Sequence, residues 1–341
     1  NTTASANIAI GSHCLDHNTT GGSNVGVGTH VLSANTSGVG NTAIGQQPML
    51  NNTTGQYNSA VGWTALQDNT TGSYNTALGG GALANNTTAS NNTGVGYLAL
   101  TSNTTGANNT AVGYLSLTSS TTASYNTAFG FHALEENLSD SNTGIGYAAL
   151  AANTTGTSSV ALGFAALTNS TTASNNTAIG YSSLSANTTG HSNVAVGTNS
   201  LDANTTGSGN TAVGDDSLSS NTTAIGNIAV GQNSLKANTT GTFNSGLGSG
   251  ALFANTTADN NTAVGYNSLG ANTTGHSNTS VGSNALDANQ TGHSGTAVGY
   301  NALTLSTGNN NTAIGRSTLE SCTTGFSNVA VGRAALGTNT T

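Results

Sequence analysis

Few side chains in this chain can do acid–base or metal chemistry: eleven carboxylates, seven histidines and two cysteines among 341 residues. Glycoside cleavage, for example, needs two carboxyl groups held at a set distance. The carboxylates here, from Asp16 and Asp68 to Asp287 and Glu320, are scattered. Glu135-Glu136 and Asp215-Asp216 are adjacent in sequence, and adjacent residues on a strand point to opposite faces. His13, His30 and His132 share one position after a recurring glycine, and His191, His276 and His293 share another. His17 stands apart. One repeat separates His276 from His293, so stacked strands would put their rings about 5 Å apart, where two imidazoles can share a metal. A solvated surface pair is the plainer expectation. Cys14 and Cys322 lie near opposite ends, in different repeat positions. A disulfide needs Cα atoms within about 7 Å, so no internal bridge is expected. No catalytic, cofactor or metal site is expected.

Two columns of residues are more suggestive. The first is aromatic and follows the recurring glycine. It runs unbroken through Tyr97, Tyr114, Phe131, Tyr147, Phe164 and Tyr181. Stacked rings can form a ridge that grips sugar or a partner surface, or they can simply cover the core edge. The second column is Asn-X-Ser/Thr, the N-glycan acceptor signal. It falls at Asn18, Asn35, Asn52, Asn69, Asn86, Asn103, Asn153, Asn187, Asn204, Asn221, Asn238, Asn255 and Asn272. It also occurs at Asn1, Asn137, Asn289 and Asn339. Sugar on this column is one expectation. The other is turn chemistry, since Asn and Gly tolerate left-handed backbone and Thr caps turns.

The element that positions these columns is a repeat. Residues 261–277 read NTAVGYNSLGANTTGHS, and the next seventeen read NTSVGSNALDANQTGHS. The glycine of the AVG element recurs twenty times, from Gly11 to Gly332. Every spacing is 17 except Gly130 to Gly146 and Gly299 to Gly315, which are 16. Both short repeats lose their residue in the same part, near Asn137 and Ser306, which marks a loop. Four residues after the marker stands Leu in nineteen repeats and Met49 in the other. Disordered chains do not hold such columns.

Seventeen residues are too few for the common helical repeats, and glycine and β-branched residues oppose helix. The repeat suits one coil of a solenoid: a strand Asn-Thr-Ala-Val-Gly, a turn, and a second strand or loop Ala-Asn-Thr-Thr-Gly. The fold class is therefore all-β, a parallel β-solenoid (β-roll) of about twenty 17-residue coils, continuous over 1–341. Along the strand, Thr262 and Val264 share one face, while Asn261, Ala263 and Gly265 share the other. The Thr/Val face, also seen as Ile8 and Ile10 or Val194 and Val196, is expected to be the core. The Ala/Gly face is expected to pack against another chain, making a homotrimeric rod. Asn begins the strand in eighteen repeats and is expected to form a hydrogen-bonded ladder.

Charge narrows the partners. Only 4% of residues are charged and the net charge is −8, with Lys236, Arg316 and Arg333 the only cations. Phosphate neutralisation needs a basic face, so nucleic acid is excluded. No apolar run is long enough to span a bilayer.

Asn-Thr-Ala-Val-Gly followed by a small residue and Leu resembles the head repeats of trimeric autotransporter adhesins. The full form NTAVGYNSL…NTTG is similar to the repetitive shafts of tail-fibre-like proteins of phages, large viruses and bacteria, which often end in an intramolecular chaperone of the endosialidase type. The resemblance covers essentially all 341 residues. It implies a trimeric β-roll in an extracellular, cell-surface or virion setting and is nearly silent about ligand; the aromatic ridge is what suggests a cell-surface glycan or protein as receptor. The expected function is a non-catalytic structural repeat of a fibre or adhesin. The alternative is an ice-binding solenoid that uses its Thr ladder.

Overall fold

The computed structural model describes residues 3–340, so Asn1 and its Asn-X-Thr signal lie outside the described residues. The chain falls into two compact units, Asn1–Ala173 and Ser174–Thr341, although no change in the repeat marks the boundary. In the first unit ten strands, β1 (Ile8–Ile10) to β10 (Val160–Leu162), form a parallel ladder. In the second, β11 (Thr177–Ile179) to β20 (Val329–Val331) pair in parallel in the same way. Each strand has three residues, apart from β2 (Val25–Thr29) and β3 (Thr42–Gln46), which have five. There is no helix among the described residues, and so none long and apolar enough to cross a membrane.

Like pairs with like: Thr93 lies beside Thr110, Gly94 beside Ala111, and Val95 beside Val112. The short repeats keep this register, with Thr127 beside Thr143 and Thr296 beside Thr312. Their missing residue is taken from the return path, which is turn and bend rather than a second strand. That path still bonds coil to coil: one Thr70 carbonyl accepts from the Thr53 N–H at 2.9 Å and the Thr54 N–H at 3.2 Å.

The marker glycine ends each strand in a conformation that only glycine holds comfortably. At Gly265 φ is +132°, and a Cβ there would stand 2.7 Å from the carbonyl oxygen of Gly282 in the next coil. The chain then turns through residues that are left-handed despite having side chains. Leu117, with φ 52°, is fully buried and donates its N–H to the Ala133 carbonyl at 3.0 Å. Left-handed backbone costs about 1–2 kcal/mol at such a residue. Burying a leucine contributes about 1.5–3 kcal/mol, enough to offset it.

The two strand faces are assigned the opposite way from the sequence expectation. The middle residue of the strand, Ala in most coils, points into its own coil, and Ala43, Ala60, Ala111 and Ala263 have no exposed surface. The flanking Thr and Val columns point outward and are half-buried or exposed, as at Thr127 and Phe129. The reason is the width of the coil. Its lumen is filled by the Leu column, and a Cβ on Gly94 would already lie 3.3 Å from Leu83 Cγ. Only a hydrogen, a methyl or a hydroxymethyl fits at that place, so the small-residue face is an internal contact and not an interface between chains.

This assignment predicts opposite outcomes for neighbouring residues. Ala111→Leu should overpack the coil and lower stability by about 1–3 kcal/mol, while Val112→Thr should stay within about 0.5 kcal/mol. Chemical denaturation of the two variants reads the difference directly.

Candidate functional site

The Asn-X-Thr column faces inward. Asn18, Asn35, Asn52, Asn69, Asn86, Asn103, Asn137 and Asn153 are buried in the first unit. So are Asn187, Asn204, Asn221, Asn238, Asn255, Asn272 and Asn289 in the second, whereas Asn339 is half-buried. The amide nitrogen that would carry sugar is already engaged. Asn52 Nδ2 donates to Asn35 Oδ1 at 2.8 Å and to the Gly55 carbonyl at 3.1 Å. Asn204 repeats the pattern on Asn187 and Gly207. These two bonds use both amide hydrogens. A glycan on this nitrogen and the folded coil exclude one another, which corrects the expectation of N-linked sugar on the buried members of this column.

The strand-start Asn column forms a second internal ladder. Asn41 accepts at Oδ1 from the Asn58 N–H at 2.9 Å, and Asn58 Nδ2 donates to the Gly72 carbonyl at 2.9 Å. The same geometry recurs from Asn193 to Asn278. The first Thr after the turn Asn is also used internally, with Thr53 Oγ1 donating to the Thr70 carbonyl at 3.0 Å. The second, as at Thr54, Thr71 and Thr88, is exposed. Most coils therefore offer one outward Thr at this turn, as the sequence indicates.

The aromatic column is real and stacked. Ring centroids are 5.7 Å apart for Tyr97–Tyr114, 5.2 Å for Tyr114–Phe131, 5.4 Å for Phe131–Tyr147 and 4.8 Å for Tyr147–Phe164. Tyr181, in the second unit, is likewise exposed. Because the rings of the first unit lie on one another, their faces are covered and their edges meet solvent. A sugar stacks on a ring face, so the middle of this ridge offers none. A gap opens one coil before it, where Gly80 stands in the column between Trp63 and Tyr97. A second outward aromatic column was not singled out from the sequence. It includes Tyr57 and Tyr74, stacked at 5.4 Å, and the exposed Tyr125 and Phe243. Its signal was the place five residues before the marker, which holds Tyr or Phe often enough to notice.

The titratable groups tie coils together. Asp259 Oδ1 accepts from the Thr242 N–H at 2.6 Å and its hydroxyl at 2.9 Å. Asp140 accepts from the Ser124 N–H, and Asp68 from the Asn51 amide. Lys236 Nζ lies 2.8 Å from Asp216, whose carboxyl is held below its ordinary range chiefly by that bond. His276 and His293 stack with centroids 4.9 Å apart, and His13 and His30 at 4.7 Å. Among the described residues no three His, Cys, Asp or Glu side chains are grouped to hold a metal. Cys14 and Cys322 are both free thiols.

No protein-family model matches this chain, and a search of curated proteins returns no similar one.

Breaks in the Asn ladder leave identifiable orphans. Ser120 and Ser170 stand where other coils have the turn Asn. Ser120 Oγ and Asn103 Oδ1 then lack partners, as do Ser170 Oγ and Asn153 Oδ1. Ser120→Asn should restore the bond and raise stability by about 1–3 kcal/mol, measured by denaturant unfolding. Gly80→Tyr should complete the ring stack and add about 0.5–1.5 kcal/mol for each new aromatic pair. A Cβ there meets Tyr97 at 3.5 Å, an ordinary contact, so a rise in melting temperature is expected without rearrangement.

Proposed function

We propose that this chain is a non-catalytic structural repeat of an extracellular fibre or adhesin, assembled as a homotrimer through the outward Thr/Val face of its strands. The carrying observation is that face. Val, Ile, Leu or Phe stands outward in every coil, and Ile44, Leu78, Phe129, Leu162 and Ile314 are among the exposed ones. A soluble chain seldom leaves so long an apolar stripe uncovered, and a large exposed apolar patch marks an interaction surface. Within each unit the stripe is regular and free of charge, so a second and third copy of itself are its natural complement. Closed cyclic symmetry is the usual form of such self-association. The likeness of NTAVGYNSL…NTTG to trimeric adhesin heads and tail-fibre shafts supports the same reading, in which the chain stands on a cell surface or virion and meets a surface glycan or protein.

The test is native mass by light scattering. Three chains are expected, and Val112→Lys with Leu162→Lys should shift the mass toward one chain while the far-UV β signal persists. A wild-type monomer would sink the reading. Peptide mapping of protein from a glycosylating host should find Asn18, Asn52, Asn204 and the other buried members of the turn column bare, because their amides are occupied, whatever the exposed signals at Asn51 and Asn85 carry.

One observation favours a second reading. In both units Thr and a β-branched residue stand outward two places apart on the same strands, repeated coil by coil, as at Thr110 and Val112 or Thr211 and Val213. Such a flat array can order water and bind ice. Thermal hysteresis by a monomeric sample would select this reading over the trimer.

A further inference from the structure

Where a coil lacks a side chain that its neighbours carry, the outward column is left with a notch one coil wide. One is in the second unit, a cavity of about 330 Å³ lined by Phe253, Ala254, Asn267, Gly270, Ala271 and Asp287. Phe253, Gly270 and Asp287 occupy the same place in three successive coils. Glycine in the middle leaves the phenyl ring open on that side, and the Asp287 carboxylate leans back over it, its Oδ1 2.8 Å from where a Gly270 Cβ would stand. The floor offers no hydrogen bonds, because its backbone groups bond between coils: Ala254 N–H donates to the Gly270 carbonyl at 2.9 Å and Ala271 N–H to the Asp287 carbonyl at 3.0 Å.

We propose that this notch binds one neutral pyranose ring, stacked by its C–H face on Phe253 and hydrogen-bonded through its hydroxyls to Asp287 and Asn267. The volume is at the small end of ligand pockets, which run to about 300–1,000 Å³, and suits a single ring. Phe253 is 45% exposed, and no neighbouring aromatic covers it on the Gly270 side. The Asp287 carboxyl is raised above its ordinary range by burial alone, with no hydrogen-bond donor acting on it. Hydroxyl donors from a sugar would supply what it lacks. An apolar face opposite an acceptor and an amide matches a pyranose, which carries C–H groups on its faces and hydroxyls on its edge. The site needs one chain only, so its failure would leave the native mass and the structural reading untouched.

The experiment is saturation-transfer NMR on the full chain. The probes are the methyl glycosides of glucose, galactose, mannose and N-acetylglucosamine, with choline in a separate tube. At least one glycoside should show transfer, displaceable by itself and strongest for its ring C–H protons. Phe253→Ala should weaken binding at least tenfold and Asp287→Asn several-fold. Gly270→Gln should abolish binding by filling the notch. It should still fold, since Gln67 stands in this column in another coil, Gly270 is not in the left-handed region, and the closest atom a Cβ would meet, Asp287 Oδ1 at 2.8 Å, is the end of a side chain that can swing away. Circular dichroism and melting temperature check the folding of each variant. No transfer to any of the four glycosides overturns the proposal. So does undiminished transfer in Gly270→Gln. Binding of choline alone overturns it in favour of a cation site built from the Phe253 face and the Asp287 charge.

Discussion

A lumen wide enough for one leucine per coil is the constraint from which most of this structure follows. Seventeen residues close around a single column of Leu side chains, typified by Leu66, Leu117 and Leu235, each fully buried. The strand opposite must then be small in the middle, which explains Ala, Gly or Ser there in every repeat. Its larger β-branched residues are forced outward. The corners of the coil are too tight for ordinary helix or sheet backbone, so Leu117 and its equivalents turn left-handed. The strand can end only in a glycine, because the next coil's carbonyl occupies the place of a side chain.

Polar residues fill what leucine does not. Most coils bury two asparagines, one at the start of the strand and one in the return loop, as at Asn58 and Asn69. A buried amide is costly unless it is hydrogen-bonded, and stacking identical coils satisfies it: each Asn finds its partner on the same residue one coil away or on a nearby carbonyl. The ladders therefore enforce the register that the apolar column alone would leave free to slip. Where Ser replaces Asn, at Ser120 and Ser170, unpaired polar atoms remain inside. The array tolerates these breaks singly.

The period, the fold class, the loop that absorbs the short repeats and the coil-to-coil Asn ladder could all be read from the sequence, because each is a matter of spacing. Sidedness could not. Thr/Val against Ala/Gly looks like core against contact surface when judged by side-chain size, since large apolar residues are usually inside. The coil reverses that rule because its interior is too thin for two large columns. The acceptor signal at Asn52 and its equivalents misled for a related reason: Asn-Thr-Thr-Gly reads as an exposed loop, and its Asn is one of the best-buried residues in the repeat. The notch over Gly270 was invisible because it depends on one missing side chain between Phe253 and Asp287, a difference between coils rather than a property of the repeat.

The left-handed leucines also bear on how such a coil comes into being. A single coil would hold strained backbone and unpaired amides with nothing to compensate, so on its own it is a net loss. Each coil becomes favourable only on a neighbour already in place, as in a one-dimensional chain with weak units and strong couplings. Growth is then slow to nucleate and fast to extend. Within a unit, an inner coil is clamped from two sides, so the loss of one coil removes support from both of its neighbours.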